Sequence, residues 1–149
     1  MDRSFVADNA RASERLRALV DRLSDEQLGL DLGGGWTVAT ALAHLAFWDY
    51  LSLARIRRWK ESGVSASALD LDVINDALVP VLRHVPGRKA ADLAVSAAEA
   101  VDAELESLPA SLVEAIERLG DRRRLFRATH RGMHMDQIED ALGDSGHSG

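Results

Sequence analysis

Apolar residues recur at helical spacing along most of the chain. Residues from about 4 to 23 place Phe5, Ala12, Leu16, Leu19, Val20 and Leu23 on one face and charged residues on the other, which predicts an amphipathic helix. Ser24-Asp25-Glu26-Gln27 has the Ser-x-x-Gln form of a capping box and predicts a short helical turn. Gly33-Gly34-Gly35 then breaks the chain. Thr37 suits the N-cap of a second long helix, from about 38 to 61, with an inner stripe of Ala41, His44, Leu45, Trp48, Leu51, Leu53 and Ile56. The small, polar stretch from Gly63 to Ala68 reads as a loop.

A third helical region starts near Asp72 and carries Ile74, Leu78, Val81 and Leu82. Pro80 can bend it, and Pro86-Gly87 ends or kinks it. Helical spacing resumes from about 88 to 108 through Ala90, Leu93, Ala94, Ala97, Val101, Leu105 and Leu108. Pro109 closes that stretch, and Ser111-x-x-Glu114 reads as a capping box that opens a short helix ending at Gly120. Asp121 is placed to cap a last helix, from about 122 to 142, that Gly143 ends. No strand pattern of useful length, internal repeat or domain linker is visible. The expectation is an all-α fold: a four-helix bundle with short additional helices, one domain over 1–143 and a disordered tail over 144–149.

Composition narrows the function classes. The net charge of -6 argues against binding a phosphate backbone, so no nucleic acid is expected as partner. Two local basic groups, Arg55 to Lys60 and Arg122-Arg123-Arg124, read as solvated helix faces. With no cysteine the fold uses no disulfide, which favours a cytoplasmic location, and any thiol chemistry must use a thiol from a cofactor or substrate. No secretory signal is visible at the N-terminus. No apolar run approaches the roughly 18 residues that a membrane helix needs.

The histidines carry the most specific signal. His130 and His134 are one helical turn apart on one face, with Phe126, Ile138 and Ala141, and His44 lies among Ala41, Leu45 and Trp48 on the inner stripe of an earlier helix. A lone histidine on an apolar face is more often a hydrogen-bonded core residue. Three on two core-facing stripes are harder to place, and one metal ion satisfies all three lone pairs. Three neutral ligands with a fourth position open form the pattern of a reactive site rather than a closed structural one. His84, beside a helix end, reads as a surface or capping residue, and His147 falls in the expected tail. The stretch His130-Arg131-Gly132-Met133-His134 lacks the glutamate of the zinc-protease motif. The inner faces also lack the paired Glu-x-x-His of dinuclear carboxylate bundles, and no nucleophile elbow supports Ser-His-Asp chemistry.

The segment from Gly35-Trp36-Thr37 through His44-Leu45-Ala46 resembles the second-helix signature of the DinB-like superfamily, in which a Trp precedes the helix and a histidine ligand follows about two turns in. His130-Arg131-Gly132-Met133-His134-Met135-Asp136-Gln137-Ile138 resembles its last-helix signature, His-x-x-x-His followed by an acid or amide and Ile. Leu23 to Leu28 is similar as well, so the resemblance spans nearly the whole chain. Each motif is loose alone and specific in combination and order. The resemblance implies a four-helix bundle holding a divalent metal through His44, His130 and His134.

The superfamily includes thiol-dependent transferases and the metal-binding domain of mycothiol-dependent maleylpyruvate isomerases. In that isomerase branch the first ligand of the last-helix pair is typically Glu, where this chain has His130, and the isomerase's C-terminal domain has no counterpart in these residues. The histidine at 130 places the chain nearer the general group. The resemblance therefore implies a transferase or isomerase in which Zn²⁺ or Ni²⁺ activates a low-molecular-weight thiol, of the mycothiol or bacillithiol type, toward a small electrophile. It is compatible with a homodimer. No general acid or base is identified. Two alternatives stay open, a metal-dependent hydrolase and a non-catalytic metal or small-ligand binding module.

Overall fold

The computed structural model describes residues 1–66, 69 and 71–147. In chain order they form α1 (Ser4–Arg22), α2 (Asp25–Leu28), a hairpin of β1 (Asp31–Gly33) and β2 (Trp36–Thr37), then α3 (Val38–Ser62) and α4 (Leu71–Leu82). α5 (Gly87–Glu106), α6 (Ala110–Leu119), a 3₁₀ turn at Arg122–Arg124 and α7 (Arg127–His147) follow. α1 and α3 each pack against both α5 and α7, so the four long helices close a ring. The α3–α5 seam is the most extensive. On α5, Ala90, Ala91, Ala94, Ala97 and Ala98 are all fully buried, and their small side chains let the two backbones approach. The chain is the all-α bundle expected from its periodicity. No helix among the described residues is long and apolar enough to cross a membrane.

Local signals set several helix ends. Ser24 Oγ accepts from the Gln27 amide at 3.1 Å, and Gln27 Oε1 accepts from the Ser24 amide at 3.0 Å, a complete capping box. Thr37 Oγ1 accepts from the Thr40 amide at 3.1 Å and caps α3. Gly33, Gly34 and Gly35 all have positive φ (91°, 61° and 83°), which makes the tight reversal of the β-hairpin and returns the chain to start α3 beside α7.

Four expectations are corrected. Ser111 does not cap α6, which opens directly after Pro109 with no side-chain cap. Asp121 does not cap the last helix: its carboxylate lies 3.6 Å from Arg123 Nε and 3.4 Å from Arg124 Nε, and α7 begins at Arg127. The cap comes instead from α1, where Asn9 Oδ1 accepts from the Ala128 amide at 2.8 Å. Gly143 does not end α7, which continues to His147; a glycine in a helix costs only about 1 kcal/mol. Of the residues expected inside, Leu93 is exposed because α5 buries its alanines instead, and Val81 of α4 is exposed while its neighbour Leu82 is buried. Of the expected loop, 67 and 68 lie outside the described residues, as do 148 and 149 of the expected tail.

The apolar core falls into two clusters. One holds Leu16 and Leu19 of α1, Leu42 and Leu45 of α3, Ala94 of α5 and Ile138 of α7. The other holds Phe5, Leu53, Ile56, Val101 and Leu105, with Ile116 of α6. Between them a polar layer crosses the bundle, made of Asn9, His44, Asp49, Ser52, Arg124, Arg127, Arg131 and His134, all buried.

Arg131 is the centre of that layer and is fully buried. Its Nε donates to Asp49 Oδ2 at 2.9 Å, and its Nη1 and Nη2 donate to Asp102 at 3.0 and 2.8 Å. Arg127 Nε donates to the other oxygen of Asp49 at 2.8 Å. Removing one member of such a buried group leaves the others charged and dry, which typically costs about 3–5 kcal/mol. Asp49→Ala should therefore lower unfolding stability by about 3–5 kcal/mol in a denaturant titration. Arg15→Ala, which breaks only the solvent-facing contacts with Asp136 and Glu139, should cost at most about 1 kcal/mol.

Candidate metal centre

α3 and α7 bring the expected histidines together. His44 lies in the second turn of α3, and His130 and His134 lie one turn apart on α7. One ring nitrogen from each lies within 4.8 Å of the other two. His44 Nε2 is 3.3 Å from His130 Nε2. Two nitrogens each about 2.1 Å from one zinc ion at the tetrahedral angle lie roughly 3.4 Å apart, so this pair already stands at the spacing of two ligands. Among the described residues it is the one cluster of histidine and acidic side chains with this geometry.

Each ring is held by something different. His134 Nδ1 donates to Gln137 Oε1 at 3.0 Å, which fixes its proton on Nδ1 and leaves the Nε2 lone pair free. The Trp36 ring meets His44 edge-on at 5.0 Å and stacks near His134 at 6.5 Å. Trp48 flanks His44 from the next turn and is itself held by a 2.9 Å hydrogen bond from its indole N–H to Asn75. Nδ1 of His44 and Nδ1 of His130 are buried and have no partner among the described residues. With Nε2 of His44 and Nε2 of His130 already at ligand spacing, the donor set of three imidazoles fits a divalent ion.

Burial pushes the His44 ring down to about 4, with the nearby His134 adding to the effect. Burial also pushes His130 down to about 2, helped by His134, Arg127, His44 and Arg131. His134 is lowered by burial, opposed by its bond to Gln137. All three rings are thus neutral at pH 7, the state in which an imidazole can donate a lone pair to a metal.

A cavity of about 130 Å³ opens beside His44 and His130, with Trp48, Leu71, Asn75, Arg124 and Arg127 in its wall. A second, on the His134 side, is lined by Leu32, Trp36 and Gln137. The sequence reading missed the arginines. It took Arg122-Arg123-Arg124 for a solvated face, yet Arg124 is buried, with Nη1 donating to Ser52 Oγ at 3.1 Å. It also passed over Arg127 and Arg131, although positions 127, 131, 134 and 138 fall on one helical stripe with the second histidine. His84 is exposed and stands apart from the cluster.

Compared with known proteins, the chain matches one family, described as the DinB superfamily, over residues 9–147. No curated protein matches it, and no solved structure does.

The depressed imidazoles make metal-free protein acid-sensitive. The unfolded chain takes up protons near pH 6.5, while the folded rings resist until about 4 for His44. The unfolded state binds more protons in that window, so stability is whole above about pH 6.5 and is lost as pH falls toward 4. Denaturant midpoints of chelated protein at pH 7.5, 5.5 and 4.5 should fall in that order, and His44→Leu should flatten the trend. An unchanged slope in the variant would mean that His44 titrates normally.

Proposed function

Because the chain belongs to the DinB superfamily, we propose that His44, His130 and His134 hold a divalent metal, Zn²⁺ or Ni²⁺, and that the protein is a transferase or isomerase using a low-molecular-weight thiol. The observation that carries this reading is that three neutral imidazoles from two helices, two of them buried and His130 half-buried, bring one nitrogen each within 4.8 Å of the others. A cation held there supplies Lewis acidity, which lowers the pKa of a coordinated thiol and makes it nucleophilic at neutral pH.

The chain's own residues do the rest. Gln137 orients the His134 lone pair, and burial, with His134, Arg127, His44 and Arg131 nearby, keeps His130 unprotonated. Trp36 and Trp48 cover the flanks of His44 and keep bulk water from the rings. The thiol comes from outside, since the sequence contains no cysteine. A thiol of the mycothiol or bacillithiol type suits the role. The cavity beside the rings has polar walls, as an enzyme that positions a second substrate requires, whereas a closed apolar site would favour a binding module.

His134→Ala should abolish stoichiometric metal in elemental analysis while the helical circular dichroism stays intact, because helix packing supplies most of the stability. Loss of helicity together with metal would make the site structural. In calorimetry with mycothiol, bacillithiol and glutathione, metal-loaded protein should bind one thiol at least about tenfold more tightly than chelated protein. The gain should grow with pH until the bound thiol is fully deprotonated, since binding releases its proton. Equal weak binding of all three thiols to both forms would refute the thiol mechanism and favour the binding module.

A further inference from the structure

The cavity beside His44 and His130 is walled by buried guanidiniums whose hydrogen bonds are incomplete, which the histidines do not explain. Four guanidiniums, from Arg123, Arg124, Arg127 and Arg131, share three carboxylates. Asp121 is divided between Arg123 and Arg124, Asp49 between Arg127 and Arg131, and Asp102 serves Arg131. Arg123 is exposed and its charge is solvated, so the three buried guanidiniums are matched in number by the three carboxylates, and what stays open is hydrogen bonding rather than charge.

The unused donors belong to residues that line the cavity. Arg127 is buried; its Nε is taken by Asp49 and its Nη1 by the Arg123 carbonyl at 3.0 Å, and its Nη2 has no partner among the described residues. Arg124 is buried too, and its Nε, 3.4 Å from Asp121, makes no hydrogen bond. Both side chains line the same cavity as His44 and His130. Arg127 and His130 are three residues apart on α7, so their side chains stand on one face.

The geometry points to a carboxylate-binding subsite, in which Arg124 and Arg127 hold the acid group of a small monocarboxylate beside the three histidines. A carboxylate brings a carbon chain to cover the apolar wall of Trp48 and Leu71, which an inorganic phosphate would leave bare. Guanidinium N–H groups pair with the planar carboxylate through charge-assisted hydrogen bonds. The cavity, about 130 Å³, is close to the roughly 150 Å³ that accommodates one benzene molecule, so a fragment of about six heavy atoms fits. Trp48 and Leu71 offer apolar wall to its carbon chain, and Asn75 stands beside them. The inference deepens the proposed function by naming a substrate class. It rests on that reading only in placing the reacting centre at the histidines. The carboxylate can belong to the electrophile or to the thiol.

The test is a tryptophan-fluorescence titration, with Trp48 as reporter, using propionate, its neutral isostere propionamide and inorganic phosphate. It is run on zinc-loaded and on chelated protein. Propionate should bind at least about tenfold more tightly than propionamide and more tightly than phosphate, in both forms. Arg124→Gln and Arg127→Lys should each weaken propionate by at least about fivefold with helicity retained, while Arg15→Gln leaves it unchanged. If Arg127→Lys unfolds, Arg124→Gln alone decides. Equal affinity for propionate and propionamide overturns the subsite, and so does phosphate binding as tightly as propionate. Propionate binding that needs zinc and ignores Arg124→Gln also overturns it, since the acid would then sit on the metal. Carboxylate selectivity without any zinc binding upholds the subsite and removes only the metal reading. Competition by each thiol and by its des-carboxy analogue then tells which reactant carries the acid.

Discussion

The bundle is registered by one carboxylate. Asp49 of α3 receives Arg127 on one oxygen and Arg131 on the other, and Arg131 continues to Asp102 of α5 and to the backbone carbonyl of Asn9 on α1. These bonds tie all four long helices in one layer. α7 depends on them most. Its buried apolar residues, such as Met135 and Ile138, lie beyond the layer, and its first turns are held by ions and by the Asn9 cap from α1. Apolar packing tolerates sliding and rotation, whereas paired hydrogen bonds of 2.8–2.9 Å do not. The layer therefore fixes the rotation of α7 about its axis, and with it the direction in which His130 and His134 point.

The histidine cluster is a consequence of that register. His130 directly precedes Arg131, and His134 lies on the same stripe one turn on. Once Arg131 is committed to the interior, the two imidazoles must face α3, where His44 waits one and a half turns before Asp49. Burial then removes the charged form of each ring, and the neighbouring guanidiniums oppose protonation of His130 further. The same residues that position the rings thus keep their lone pairs available. This agrees with a site organised before its ligand arrives, in which little rearrangement precedes binding.

The two flanks of the cluster differ in character. On the Trp36 side, Gln137 orients His134 and the hairpin covers the rings. On the opposite side, guanidiniums and Asn75 surround a small cavity. The break between the 3₁₀ turn and α7 creates that second flank. Had the last helix begun at Arg122, Arg124 would stand on a continuous helix rather than on the turn that brings it against Ser52 of α3.

Local chemistry and periodicity were enough to determine the all-α bundle, its four long helices, the capping box at Ser24, the N-cap at Thr37 and the shared stripe of His130 and His134. Those features depend on residues within a turn or two of one another, and a helix of fixed pitch carries that spacing directly into space. The identity of the third histidine as a neighbour of the pair was also legible, through the resemblance of two motifs in order. Tertiary structure alone decided where α7 begins, because its cap is Asn9, more than a hundred residues away in sequence. It alone placed Arg124, Arg127 and Arg131 inside. A charged side chain is normally solvated, and only partners on other helices, Asp49, Asp102 and Ser52, make its burial tolerable. Such compensation is a property of pairs brought together by the fold: the local pattern puts Arg127 and Arg131 on the stripe of His134, but only the fold supplies the partners that compensate their burial.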